Sequence, residues 1–272
     1  MQTLFKFYIK SSIHVALAVV ALCLLTAFIH DLALNFWVHL FVFFSTVVGY
    51  NFVKYASRSK NYPLSPRSPS VSIQVFSGIS IIGIVACCFF ISLNTLVFVG
   101  ILGLFNLFYA IPLGGNTLRE VPFLKVFIIA FIWTGVSLGI PLIDADKTIS
   151  LELNFNFEII ERFCWVLLLL IPFEIRDLKY DRIHLKTLTT AFGITGLKIV
   201  GVGMCLALVM TRVLVKALVF ELFDVLVYAS LILAISLSNT NQKTYFASFW
   251  VEALPIFWLL IWLIIDYASY SS

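Results

Sequence analysis

Uninterrupted apolar runs of about 20 residues recur along the whole chain, and this restricts it to a fold whose main solvent is lipid. The hydrocarbon core of a bilayer is ~30 Å thick and a helix rises ~1.5 Å per residue, so each run is long enough to cross. The runs are Ser12 to Ile29, Leu34 to Val53, Val71 to Ile91, Thr95 to Ile111, Phe123 to Ile143, Phe157 to Ile175, Thr190 to Val209, Val213 to Leu237 and Phe246 to Ile265. Barrel strands alternate apolar and polar residues over ~10 positions, and these runs do not. The expected fold is all-α: a polytopic membrane helical bundle of about nine transmembrane helices, with residues 1–272 forming a single transmembrane domain. Composition agrees, because 61% hydrophobic and 12% charged residues leave too little polar surface to face water. Lys6 and Lys10 precede the first run, but that run exceeds the ~7–15 residues of a signal-peptide core, so it is predicted to be a retained helix.

Charge gives the bundle a direction. With nine crossings, 14 of the 18 Lys and Arg residues share the side of the amino terminus; Lys147, Arg162, Arg212 and Lys216 lie opposite. Cytoplasmic loops carry the excess of cations, so the amino terminus is expected in the cytoplasm and the carboxyl terminus outside. Asp144, Asp146, Glu152, Glu158 and Glu161 then read as a solvated external loop. Topology and anionic headgroups account for the net charge of +4, and nucleic acid is not implied. The five cysteines show no C-x-x-C spacing and read as small buried apolar residues. His14, His30 and His39 read as packing near helix ends. Gly135 and Gly139 form a G-x-x-x-G pair suited to close helix contact.

Two connections on the cation-rich side hold the candidate chemistry. Tyr50 to Arg67 carries Lys54, Arg58, Lys60 and Arg67 and no acid, which suits either a topology determinant touching headgroups or a polyanion-binding loop. Pro172 to Arg182 carries Glu174, Asp177 and Asp181 at i, i+3 and i+7, on one face if the helix continues. Three acids on one stripe repel and need a positive partner. That partner is either Mg²⁺, which prefers carboxylate oxygens, or neighbouring cations such as Arg176, Lys179 and Arg182 in a structural ion-pair cluster.

Glu174-x-Arg176-Asp177-x-x-x-Asp181, followed by Lys186-Thr187-Leu188 and Gly193, resembles the second aspartate-rich motif of the UbiA superfamily of intramembrane prenyltransferases. That motif reads D-x-R-D-x-x-x-D, then T-L and a glycine. Tyr109-Ala110-Ile111-Pro112, with Leu118-Arg119, Pro122 and Lys125, is similar to the family's loop between helices four and five. The resemblance implies a UbiA-like bundle around a cavity open to the membrane. It also implies two aspartate-rich motifs on the cytoplasmic side that hold Mg²⁺ and the diphosphate of a polyisoprenyl substrate. In this chain Glu174, Asp177 and Asp181 would be the metal set, and Lys54, Arg58, Arg119, Lys125 and Lys186 the diphosphate contacts.

The family's first motif, N-D-x-x-D-x-x-x-D, is degenerate here. Placing its asparagine on Asn51 puts Phe52, Tyr55 and Ser59 where the three aspartates belong. Two expectations follow. One is a membrane prenyltransferase that moves a prenyl group from a polyisoprenyl diphosphate to a lipophilic acceptor, aromatic acceptors included, at the cytoplasmic face. In it, fixed cations such as Lys54 and Arg58 stand in for part of the metal site. The other is a catalytically retired UbiA-fold membrane protein that binds lipid or a membrane partner. A transporter is disfavoured, since no internal repeat is visible. Glu221, Asp224 and Glu252 lie in apolar runs and count as functional candidates unless helix ends bring them to the headgroups.

Overall fold

A computed structural model of the chain describes residues 2–33, 35–56, 69–111, 117–146, 153–181, 187–216 and 222–271. Helices account for nearly all of them: α1 (Gln2–Lys10), α2 (Ile13–Ile29), α3 (Phe36–Ala56), α4 (Val71–Cys88), α5 (Leu93–Ala110), α6 (Leu124–Thr134), α7 (Ile140–Asp144), α8 (Leu153–Asp181), α9 (Leu188–Lys216), α10 (Leu222–Leu237) and α11 (Leu254–Ser271). Eight of the nine predicted apolar runs fall mainly on helix, whereas the eighth, Val213 to Leu237, takes in the last residues of α9, residues 217–221 outside the described set, and α10. Among the described residues, six helical stretches are long and apolar enough to cross a membrane, and the bent pair α1 and α2 makes a seventh if it forms one span. The two predicted spans outside that set are α8, long but charged toward both ends, and α10, which has 16 residues. The chain is a multi-pass integral membrane protein, and it divides into two compact units, 1–148 and 149–272.

In the first unit α2 forms the centre. Val15, Ala18, Leu22 and Leu25 are at most 2% exposed, and α3, α7 and a π-helical turn pack around them. The turn is Gly135–Gly139, between α6 and α7. A π-turn disturbs the i to i−4 ladder, and carbonyls in hydrocarbon need partners. Here α2 supplies them: Thr26 Oγ1 donates to the Ser137 carbonyl at 2.8 Å, and Cys23 Sγ to the Val136 carbonyl at 3.4 Å. On the turn's other side, a Cβ added at Gly135 would stand 2.8 Å from Leu102, and one added at Gly139 2.8 Å from Phe98. The G-x-x-x-G pair thus admits α5. Outward-facing Ile82, Phe89 and Leu93 are more than 70% exposed, which suits contact with lipid tails.

In the second unit α8 packs against α9 and α10, and it corrects one expectation. Glu161 is not in a solvated loop: it lies inside α8, 3% exposed. Its Oε1 accepts Arg212 Nη1 at 2.9 Å and the Tyr228 hydroxyl at 2.5 Å, and the same Arg212 nitrogen stands 2.9 Å from Asp224 Oδ1. One guanidinium thereby joins α8, α9 and α10 at the end opposite Asp177. Asp224 sits in the first turn of α10, so it belongs to this ionic node; Glu221 lies outside the described residues.

Both packing devices carry measurable consequences. Gly139→Val overfills the contact with Phe98 and is expected to cost about 1–3 kcal/mol, seen as a lower unfolding temperature in detergent micelles. Arg212→Met removes the cation that two buried carboxylates share and is expected to cost on the order of 3–5 kcal/mol. Replacing Glu161, Arg212 and Asp224 together by apolar residues should recover most of that loss in the same unfolding experiment.

Candidate functional site

At one end of the first unit, α3 finishes, α4 begins, and α1 turns into α2. The turn is sharp: α1 and α2 meet at 55°, and Ser12 between them has φ 65°. Asn51, 4% exposed, holds this bend. Its Nδ2 donates to the Ser11 carbonyl at 3.1 Å and to Ser77 Oγ of α4 at 2.9 Å, while its Oδ1 accepts Ser12 Oγ at 2.8 Å. An asparagine amide has two N–H donors. Both are spent inside the protein.

The neighbouring residues do related work. Lys54 Nζ donates to Ser12 Oγ at 3.0 Å, and the Tyr55 hydroxyl donates to the Lys10 carbonyl at 3.3 Å. The last turn of α3, where the resemblance places the first motif, thus clasps the chain's own α1–α2 bend. Phe52 is half-buried beside these contacts. Arg58 and Ser59 lie outside the described residues. Arg119, in a short 3-10 turn (Leu118–Glu120), and Lys125, in the first turn of α6, are half-buried at the same end of this unit. Two residues before Asn51, a Cβ on Gly49 would stand 3.0 Å from Asn106 Nδ2. Tyr50 accepts Trp133 Nε1 at 2.7 Å.

In the second unit α8 continues through Asp181, so the condition for a shared face of Glu174, Asp177 and Asp181 is met in the backbone. Glu174 is 4% exposed. Asp177 is partly exposed and lies in a two-pronged contact with Arg176, Nε to Oδ1 at 2.7 Å and Nη2 to Oδ2 at 3.1 Å. Arg176 also stands over the Phe173 ring, 5.0 Å from its centroid. The side chain of Asp181 and all of Lys186 lie outside the described residues. The segment joining α10 to α11 braces this end: Asn241 Oδ1 accepts Lys179 Nζ at 2.6 Å, and Gln242 Nε2 donates to the Pro172 carbonyl at 3.2 Å.

The T-L…G part of the motif has a local reason. Thr187 and Thr190 cap α9 reciprocally: the Thr187 N–H donates to Thr190 Oγ1 at 2.7 Å and the Thr190 N–H to Thr187 Oγ1 at 3.3 Å. Three residues after Thr190 the helix breaks at Gly193, φ 68° and ψ 171°, a conformation confined in practice to glycine.

No protein-family profile and no curated protein sequence matches the chain. Solved structures do. A UbiA homologue from Aeropyrum pernix K1, without ligand, superposes with a TM-score of 0.65 at 15% identity, covering 93% of this chain and 98% of its own. The chain has the UbiA fold. A UbiA homologue from Archaeoglobus fulgidus bound to Cd²⁺ aligns with a TM-score of 0.59 at 13% identity. The same homologue bound to GPP and Mg²⁺ aligns with 0.56 at 12% identity. Each alignment covers 92% of this chain and 97% of the homologue.

On this UbiA fold, magnesium meets a poor set of described ligands. It needs oxygen donors, at least one or two of them carboxylates. Among the described residues no three His, Cys, Asp or Glu stand close enough to hold a metal ion. Asp177 has both oxygens on Arg176, and Asn51 directs its amide at Ser11, Ser12 and Ser77. Of the expected set Glu174, Asp177 and Asp181, the side chains described are Glu174 and Asp177.

Sequence reasoning passed over Ser11, Ser12, Ser77, Asn241 and Gln242. The first two carried a signal, a pair of hydroxyls just ahead of an apolar run; the others carried none. Asn51→Ala should cost about 1–3 kcal/mol by stranding buried partners, with faster deuterium uptake in α1 by mass spectrometry. Gly193→Ala should cost of order 1–3 kcal/mol through backbone strain alone, read as a lower unfolding temperature.

Proposed function

We propose that this protein is a prenyltransferase of the UbiA superfamily that takes a polyisoprenyl diphosphate and transfers its prenyl group to a lipophilic acceptor. The observation that carries the reading is the fold: it is shared over nearly the full chain with a homologue whose structure contains GPP and Mg²⁺. The excess of cations on the amino-terminal side supports a reacting face in the cytoplasm. Lys54, Arg58, Arg119, Lys125 and Lys186 are the proposed diphosphate contacts, because fixed cations stabilise the charge that grows on a departing diphosphate. Glu174, Asp177 and Asp181 are the residues of this chain that would take Mg²⁺, with Arg176 displaced from Asp177. Apolar helix faces would hold the isoprenoid away from water.

A second reading, a retired UbiA-fold protein that binds lipid or a membrane partner, draws on the Asn51 clasp, where the motif position serves the fold. The two separate by turnover. Purified protein in lipid nanodiscs, given prenyl diphosphates of graded length and a lipid-quinone or phenolic acceptor extract, should release diphosphate, and Asp177→Ala should abolish that release without lowering the unfolding temperature. Absence of turnover at every chain length would leave the second reading standing.

A further inference from the structure

We infer that Asn106 of α5 and Ser45 of α3 form a neutral polar notch that positions the hydroxyl or carbonyl of the lipophilic acceptor, which rests on the prenyltransferase reading above. Between Leu96 and Phe108 of α5, Asn106 is the one residue with a polar side chain. It is half-buried and turned toward α3: a Cβ on Gly49 would stand 3.0 Å from its Nδ2, so the missing side chain there makes room for the amide. Ser45 lies one helical turn before Gly49, on the same face of α3. Its Oγ is buried and has no hydrogen-bond partner among the described residues. The Asn106 amide likewise makes no hydrogen bond among them.

Both groups belong to the first unit and lie inside apolar spans, Ser45 as the tenth of the 21 residues of α3 and Asn106 as the fourteenth of the 18 of α5. Lipid tails give them no partner, and a bare amide or hydroxyl in hydrocarbon is costly. A polar group kept in a span at that cost points to a ligand. Chemistry selects which one. An isoprenoid tail has nothing to bond, and a diphosphate calls for cations, whereas a neutral amide and a hydroxyl match a neutral hydroxyl or carbonyl. Depth agrees: at ~1.5 Å of rise per residue, Gly49 is ~3 Å and Ser45 ~9 Å further into α3 than Asn51. An acceptor ring whose oxygen bonds to this notch is held in the apolar part of the unit, beneath the α1–α2 bend that Asn51 clasps. The two asparagines thus divide the work, since the amide of Asn51 is taken up by the fold and that of Asn106 is not.

The test uses the full chain in lipid nanodiscs with 2-naphthol and naphthalene, which share a ring system and differ by one hydroxyl. With empty nanodiscs subtracted, calorimetric titration should give a Kd about tenfold or more lower for 2-naphthol. Asn106→Leu, close to isosteric, should cut that preference to under about threefold, and Ser45→Ala should cut it by a smaller factor. Neither substitution removes a hydrogen bond of the fold, so the unfolding temperature of each variant should hold or rise. In turnover, Asn106→Leu should raise KM for a phenolic acceptor and leave KM for the prenyl diphosphate unchanged. A lower unfolding temperature for Asn106→Leu means that the amide ties α3 to α5 and overturns the inference, as does equal affinity for the two probes. Diphosphate release without any hydroxyl preference overturns this inference alone. Absence of release at every chain length overturns the prenyltransferase reading, and the acceptor role with it.

Discussion

Lipid offers no hydrogen bonds, and every polar group this chain carries into the bilayer has to find its partner within the protein. That demand explains features that would otherwise seem unrelated. The π-turn at Gly135–Gly139 persists because Thr26 and Cys23 of α2 reach its carbonyls. Glu161 and Asp224 persist because Arg212 lies between them. Asn51 persists because two backbone or hydroxyl acceptors and one hydroxyl donor surround it.

The same demand shapes what the candidate site can do. A polar side chain saturated by its own fold is a poor ligand, since binding anything else strands a buried partner at about 1–3 kcal/mol. Asn51 has become such a residue. Lys54, one turn of α3 further on, adds its ammonium to the same bend by donating to Ser12 Oγ. The first-motif position therefore combines a structural amide with a cation held at the same bend.

Much of the fold was legible in advance because helix and lipid exposure both follow from runs of side chains, a local property. All the predicted runs but the eighth fall on helices within a few residues, and the G-x-x-x-G pair packs as its spacing suggests. The count of crossings was less legible, since charges at both ends of α8 and the shortness of α10 leave six or seven spans by length and composition. The acids of the fifth connection show why. Spacing could not separate Glu161, which faces Arg212 across helices, from a solvated acid, because its partner is 51 residues away.

What the sequence determined by itself is the solvent, the helical class, and that Phe52, Tyr55 and Ser59, not carboxylates, follow Asn51. Each depends only on which residues stand next to one another in the chain. Tertiary structure alone decided how those residues are used: that Asn51 clasps the α1–α2 bend, that Arg176 turns onto Asp177 when Lys179 turns onto Asn241, and that Glu161 is buried. Those outcomes depend on which groups approach within about 3 Å across helices, and in a medium without water such distances decide whether a polar residue binds a ligand or holds the fold.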